Sequence, residues 1–502
     1  MVSNEINQNK KPTNLSLISN SLKRKCADST AHGFPRIFDS DLLMIKIIWS
    51  IIFSIGIFGA ITMIFISIRT YYSYPYSTSV EIYESYLDDF PAVSICNLNP
   101  FDTTDPRTQV YLAQILNMSN LSLEINPSSQ SPAIYEVRRA FKLLNTNFLD
   151  DLRARNFRTD FKIVNNFDDL VLSCYFNGQK CDSTDFQSFF SFGYGQCFTF
   201  NKKINDSTSL KKTSKTGPES GLSLELFTGF PGGQQDFLNE KRGILLVAHN
   251  NSANPALRLE GIKLPVGTSA EIGIKRTFYK KLSEPFSKCV INASEFREND
   301  SESYKQTVLS GSYTKKKCFE NCLQFKFIIP KCNCSDPQIS TTNTIGFCKT
   351  SKQIVCVEEV RKQFDSEDLS LTCDKECPVS CDTMQYSYQK SYSDYPTQYY
   401  YEIIKKQDNL KNRFENSTFD SFKQSTLMVN VFYEELSLTF IKETRLINLQ
   451  DLVASIGGLL GLFLGCSVLT LMEPIAFVIE LVCELFMLKN QTNSFQTKVQ
   501  PF

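Results

Sequence analysis

The sequence predicts an α+β membrane protein: two transmembrane helices and, between them, a large disulfide-rich extracellular domain built around a β-sheet. Three observations predict it. Two apolar runs free of charge, Ile47 to Ile68 and Leu452 to Met472, lie near opposite ends of the 502-residue chain. Fourteen of the 17 cysteines fall between them. Short stretches of alternating or aromatic-rich residues in the same interval read as strands. Length alone would suggest about three soluble domains, but this distribution overrides it. Lys plus Arg is 53 and Asp plus Glu is 53, a balance that speaks against a polyanion-binding protein, so no nucleic-acid partner is expected. Two histidines are too few for a multi-histidine metal centre, and no metal or cofactor is expected.

Residues 1–43 form the N-terminal segment. Up to residue 41 it holds Lys10, Lys11, Lys23, Arg24, Lys25 and Arg36 against four acidic residues. That Lys/Arg excess favours the cytoplasmic side. The first transmembrane helix covers 44–69, bracketed by Lys46 and Arg69. About 20 residues at 1.5 Å each cross a hydrocarbon core of about 30 Å. The interfacial aromatics Tyr71, Tyr72, Tyr74 and Tyr76 follow. A buried core helix is the alternative reading. The second transmembrane helix covers 449–486 and carries Gly457, Gly458, Gly461 and Gly465. Small residues there permit close helix contact or backbone exposed to a pore. Glu473, Glu480 and Glu484 interrupt the later apolar stretch. A carboxylate at membrane depth faces protein or a water-filled cavity, and the alternative places Glu473 at the inner interface in water. Two crossings make both termini cytoplasmic, with 487–502 as a short tail, and leave 70–448 outside the cell.

Fourteen cysteines in one oxidising compartment allow seven disulfides. Glycosylation sequons in this interval include those starting at Asn117, Asn120, Asn205, Asn250, Asn292, Asn333 and Asn416. Residues 90–97 read as a strand. Cys174 to Cys181 encloses a hairpin with Asn177-Gly178 at its turn. Strands are also expected at 191–200, at Leu222, Leu224 and Leu226, at Ile244 to Val247, and finally from Leu427 to Phe440 toward the membrane. Residues 202–220 are polar loop. Helical character appears at 135–150, 312–325 and 398–424. The dense cysteine region 289–381 is expected to be a disulfide-stapled module, and the sheet mostly antiparallel.

A specific combination of motifs now stands out: His32-Gly33 before the first span, FPAVSICNLNPF at 90–101, LSCYFNGQKC at 172–181, YGQCFTFN at 194–201, GPESGLSLEL at 217–226 and GGLLGLFLGCSVLTLME at 457–473. The chain resembles the degenerin/epithelial sodium channel/acid-sensing ion channel family over nearly its whole length. Within that family it looks most like the peptide-gated sodium channels of cnidarians. The resemblance implies a homotrimer or heterotrimer with related subunits in the plasma membrane. It also implies two helices per subunit around a central pore, Na+ as permeant ion, and block by amiloride-like compounds. It implies the pairs Cys96–Cys197 and Cys174–Cys181. In a thumb-like ladder it implies Cys289–Cys381, Cys318–Cys377, Cys322–Cys373, Cys332–Cys356 and Cys334–Cys348.

The same resemblance assigns roles. Gly465, Cys466 and Ser467 match the selectivity segment, where small residues let polar groups replace part of an ion's hydration shell. Glu473 matches an intramembrane carboxylate that holds cations and repels anions. His32 and Gly33 match a cytoplasmic gating motif; by themselves they are a polar turn. Tyr74 matches an aromatic at the membrane-side wrist, whose tryptophan partner is here Phe286. Interfacial anchoring is the simpler reading of Tyr74. At the outer mouth, where acid-sensing relatives carry Asp, this chain has Ser455, with Asp451 one helical turn earlier. Ca2+ permeation or block therefore stays open.

The leading expectation is a ligand-gated sodium channel subunit, not an enzyme, opened by an extracellular RFamide-like neuropeptide. The alternatives are a proton-gated or constitutive cation channel, and a non-conducting two-span receptor or adhesion protein. Clustered carboxylates keep proton gating open despite the scarcity of histidine.

Overall fold

The computed structural model describes residues 34–101, 106, 109–110, 166–191, 193–205, 208–232, 241–311, 313–339, 345–366 and 369–470, and then 472, 473, 475, 476, 478–480, 482 and 483. His32, Gly33, Asn117, Asn120 and the helix expected at 135–150 lie outside these. Contacts divide the chain into two units, Met1–Ser77 with Thr444–Phe502, and Thr78–Glu443.

In the first unit, helix α1 (Leu43–Tyr72) is 30 residues long, about 45 Å at 1.5 Å per residue. It is long and apolar enough to cross a membrane, and it exceeds the expected 44–69 by a residue at the start and three at the end. Ala60 is its one buried residue, while Ile51, Ile55, Phe58 and Phe65 are exposed. An apolar helix with bare apolar sides suits lipid better than a protein core. The hydroxyls of Ser54, Thr62 and Thr70 each donate to the carbonyl four residues back, at 2.7, 2.7 and 2.9 Å, so these polar groups are satisfied within the helix. A second apolar helix, Leu449–Leu464, has 16 residues. Within the expected second transmembrane helix, 449–486, the helix stops before Gly465 and helical residues resume at Val468.

Among the described residues the strands, in chain order, are β1 (Tyr76–Glu84), β2 (Asp88–Asp89), β3 (Ala92–Asn97), β4 (Val171–Phe176), β5 (Gln179–Lys180), β6 (Phe186–Ser191), β7 (Gly195–Phe200), β8 (Lys212–Thr213), β9 (Leu222–Phe227), β10 (Ile244–His249), β11 (Ile262–Leu264), β12 (Thr268–Lys280), β13 (Asp382–Asp394) and β14 (Thr426–Arg445). One sheet has the order β13-β12-β14-β9-β4-β5, with β1 also on β14. A second has the order β11-β10-β3-β7-β6. Pairing is antiparallel except where β12 runs parallel to β14. The first sheet packs on the second through Ala270, Ile272 and Ile274, alternate residues of β12, and Val429, Val431 and Tyr433 of β14. These meet Phe90, Ile95, Phe198 and Phe200, all buried. The β4–β5 hairpin turns at Asn177 and Gly178 with φ 51° and 76°. Positive φ at both central residues is what a type I′ turn requires and what Asn-Gly accepts.

The cysteine-rich region is helical. Helix α2 (Glu302–Leu309) is followed by α3 (Lys315–Cys322), which continues as a π-helical turn over Leu323–Ile328 and then Ile329–Cys332. Pro330 has no N–H to return to Lys326, which favours the widened turn. Helices α4 (Ser351–Ser366) and α5 (Ser370–Glu376) complete the module. Its disulfides are Cys289–Cys381, Cys318–Cys377, Cys322–Cys373, Cys332–Cys356 and Cys334–Cys348. With Cys96–Cys197 and Cys174–Cys181 in the sheets, these are the seven pairs the resemblance implies. Cys318 and Cys322 are four apart on one helix face, as are Cys373 and Cys377, so two rungs stack one turn apart. The stretch expected to be helical at 398–424 is three short helices, Gln398–Lys406, Lys411–Phe414 and Phe419–Lys423, around a core of Tyr401, Ile404, Phe414 and Phe422.

Candidate conduction segment

Helix α6, the label for Leu449–Leu464, is held at both ends by specific bonds. Asn448 caps its start: the Asn448 carbonyl oxygen Oδ1 accepts from the Asp451 N–H at 2.9 Å, and Asp451 Oδ2 accepts from the Asn448 N–H at 3.0 Å. This capping box satisfies two amides that the helix itself cannot. Asp451 and Ser455 lie one turn apart on α6, both exposed in the protomer.

The far end closes on Gly465, at φ 62° and ψ 22°. An L-residue pays about 1–2 kcal/mol for that left-handed geometry, and glycine does not. The Gly465 N–H donates to the Gly461 carbonyl at 3.0 Å and the Cys466 N–H to Leu460 at 3.3 Å. Both carbonyls belong to the last turn, so the break is a hydrogen-bonded helix stop. Ser467 starts the next helical stretch. Its Oγ accepts from the Thr470 N–H at 3.3 Å, and the Ser467 N–H donates to Thr470 Oγ1 at 3.2 Å. Gly465, Cys466 and Ser467 therefore form a three-residue non-helical segment between two capped ends, inside a run with no charge. Such irregular backbone at membrane depth is tolerated where it lies within protein or lines a water-filled path. Cys466 carries a free, half-buried thiol. Glu473 is half-buried on the following helical residues.

Tyr74 follows α1 with φ 51°. Its N–H donates to Tyr71 at 3.1 Å, and its ring meets Tyr72 edge-on at 6.4 Å. This is the position after a helix where glycine is usual. Phe286 belongs to the other unit, in a turn closed by its N–H to the Ser283 carbonyl at 3.0 Å. The expected glycosylation positions within the described residues, Asn205, Asn250, Asn292, Asn333 and Asn416, are exposed.

Two buried polar clusters were not expected from the sequence. His249, at the end of β10, is 5% exposed. Its Nδ1 lies 2.9 Å from the Asn250 carbonyl, which can only accept, so Nδ1 carries the proton. Nε2 then accepts from Ser94 Oγ at 2.8 Å, and Ser94 in turn meets Thr199 at 2.8 Å. Burial pushes the imidazole down to about 4; the carbonyl contacts oppose this, and the nearby Lys202 and Lys317 charges reinforce it. The second cluster surrounds the buried Glu225, which accepts from the Tyr395 hydroxyl and from Ser173 Oγ at 3.1 Å. Burial and the Glu225 charge raise the Tyr395 hydroxyl well above its ordinary value. The sequence signals were faint: one histidine closing an apolar run, and one glutamate in an alternating strand.

The family model described as amiloride-sensitive sodium channel matches residues 25–477. The chain belongs to the amiloride-sensitive sodium channel family. Among its relatives, the FMRFamide-activated amiloride-sensitive sodium channel of Cornu aspersum is 26% identical, covering 92% of this chain and 83% of that protein. The bile acid-sensitive ion channel of Homo sapiens is 26% identical over 91% and 86%. Human acid-sensing ion channel 2 is 24% identical over 94% and 89%. This family consists of ion channels, and the match supports a cation channel rather than an enzyme.

Proposed function

We propose that the chain is a subunit of a trimeric, sodium-selective cation channel of the plasma membrane, opened by an extracellular RFamide-like peptide. The break at Gly465–Ser467 is the observation that carries it. A helix that stops and restarts within three small residues of a charge-free run leaves backbone carbonyls and the Ser467 side chain for a narrow polar passage. Three copies of Gly465, Cys466 and Ser467 form that passage in this reading, and three copies of Glu473 hold cations on its inner side and repel anions. Two spans, α1 and the broken second one, keep both termini cytoplasmic. Tyr74, held in a conformation that costs about 1–2 kcal/mol, and Phe286 serve gating in this reading, while His32 and Gly33 act at the inner mouth. Asp451 supplies outer-mouth charge in place of Ser455. Peptide gating is supported by the Cornu aspersum relative, whose name states FMRFamide activation.

The experiment is two-electrode voltage clamp on cells expressing the chain, with and without related subunits, challenged with RFamide peptides, acid and amiloride. The reading expects an amiloride-sensitive inward Na+ current evoked by peptide. Current evoked only by acid supports the proton-gated alternative. No current from any combination at confirmed surface delivery supports a non-conducting receptor. Glu473→Gln should change permeation with surface delivery unchanged; lost delivery with unchanged conductance would remove Glu473 from the pore.

A further inference from the structure

Within the membrane unit, the glycines differ in what surrounds them. A Cβ added at Gly457 or Gly458 of α6 meets nothing within 4 Å, and at Gly461 only the Cys466 carbonyl oxygen at 3.8 Å. At Gly56 and Gly59 of α1 the situation is reversed. A Cβ at Gly59 would lie 2.9 Å from Phe463 Cε1 and 3.3 Å from Cδ1. A Cβ at Gly56 would lie 3.0 Å from the Phe463 backbone oxygen and 3.8 Å from Leu464 Cδ2. Gly56 and Gly59 are three apart, hence on one helix face, and together they form a notch that takes both the ring and the carbonyl of one residue.

That residue sits at a sensitive place. Phe463 is next to last in α6, two residues before the left-handed Gly465. Its carbonyl is among the final four, which the helix leaves without a bond from four residues on; the amide that would supply it, Ser467, donates to Thr470 Oγ1 instead. The Phe463 carbonyl thus turns toward the Gly56 backbone where the Gly465 and Cys466 amides bond back to Gly461 and Leu460. Packed interiors shift in discrete steps rather than yielding smoothly, so pushing Phe463 out of the notch must move the bonds that shape the break.

We infer that Gly56 and Gly59 are positioning residues for ion selectivity: they seat Phe463 and so fix the geometry of the Gly465–Ser467 segment from the neighbouring span. The selectivity part rests on the channel reading; the notch itself does not. The two contacts also differ in kind. The Gly59 contact is with a side chain and is relieved by a smaller one, whereas the Gly56 contact is with backbone and is not.

The test uses the full-length chain carrying Gly59→Ala or Gly56→Ala, each with and without Phe463→Leu, at matched surface level. The first readout is the Na+/K+ permeability ratio from reversal potentials. The second needs no current: the rate at which a membrane-permeant thiol reagent labels Cys466 in isolated membranes, in a Cys26→Ser, Cys483→Ser background. Each alanine variant is expected to change both readouts by about fivefold, the scale of overpacking a core. Phe463→Leu should restore them for Gly59→Ala and not for Gly56→Ala. Unchanged labelling in Gly59→Ala, or equal rescue of both variants, overturns the notch. If Gly59→Ala fails to fold, Phe463→Leu must repair it selectively, and failure to do so also overturns it. If labelling behaves as expected and the permeability ratio stays constant, the notch stands and its role in selectivity falls. A wild-type chain that labels as expected but never conducts refutes the channel reading instead.

Discussion

Replacing His249 with glutamine should flatten the acid response of the protein's stability. The folded imidazole titrates near 4 against an ordinary 6.5, because burial disfavours its cation. At 1.36 kcal/mol per pH unit, protonating it in place costs about 3 kcal/mol. The sign follows from proton counting: between these two values the unfolded chain binds more protons, so stability rises with pH. The contribution is therefore complete above about pH 6.5 and lost as pH falls through about 4. Spread over the 366 residues of the unit Thr78–Glu443, that loss is about 4 °C in Tm. The assay is thermal unfolding of the detergent-solubilised full-length protein from pH 7.5 to 4, wild type against His249→Gln. Carboxylates elsewhere titrate in both proteins and cancel in the difference. The wild type should lead most at pH 7.5 and lose about 4 °C of that lead by pH 4. A constant difference, or one that collapses around pH 6.5, would refute the assignment of a buried neutral imidazole. A corollary bears on gating: His249 stays neutral through mild acid, so His249→Gln should leave any acid-evoked current unchanged.

Further outcomes are expected elsewhere. Gly465→Ala should cost about 1–2 kcal/mol in the left-handed cap and lower the Na+/K+ permeability ratio at matched surface delivery; an unchanged ratio would separate the cap from the passage. Asp336, 1% exposed, accepts from Arg361 at 2.7 Å. Asp336→Ala should destabilise the cysteine-rich module by about 3 kcal/mol, because it leaves a largely buried guanidinium without this partner. Faster limited proteolysis between Cys289 and Cys381 would report it. Asp451→Ala removes the reciprocal cap with Asn448, costing about 1 kcal/mol, and should weaken external Ca2+ block; unaltered block would place the outer-mouth charge elsewhere.

The elements legible in the sequence are those whose signal is local. The Asn177-Gly178 hairpin follows from the turn's demand for positive φ. Strand β9 follows from its alternating leucines, β7 from aromatic density, and α1 follows from length without charge. The long strands β12 and β13 went unread. β13 lies at the sheet edge with mostly exposed residues, so alternation at Tyr386 and Tyr388 is diluted by polar neighbours. Helix α4 repeats Ile354, Val357, Val360 and Phe364 on a helical face, a pattern obscured by the density of cysteines around it. Residues 398–424 read as one helix, but Thr397 and Thr418 cap two separate starts. The break at Gly465 is invisible to hydropathy, since it depends on a backbone angle and two caps. The Ser94–His249–Thr199 cluster joins residues 105 and 155 positions apart, a distance no local pattern spans.

The cysteines follow the same division. Their number and confinement to one interval imply seven disulfides, yet many pairings satisfy that count. The partners are set by helix register: Cys318 and Cys322 face Cys373 and Cys377 because each pair is spaced by one turn. This ladder ties α3 to α5 at two adjacent levels.

The central claim is that Gly465, Cys466 and Ser467 shape a sodium-conducting passage. The most direct measurement is the reversal potential of the peptide-evoked, amiloride-sensitive current under exchanged Na+ and K+ gradients, in wild type and in Ser467→Ala at equal surface density. The account predicts a wild-type reversal that tracks the Na+ gradient and a displaced reversal in the variant. A wild-type reversal indifferent to Na+, or an identical one in Ser467→Ala and Gly465→Ala, would contradict it.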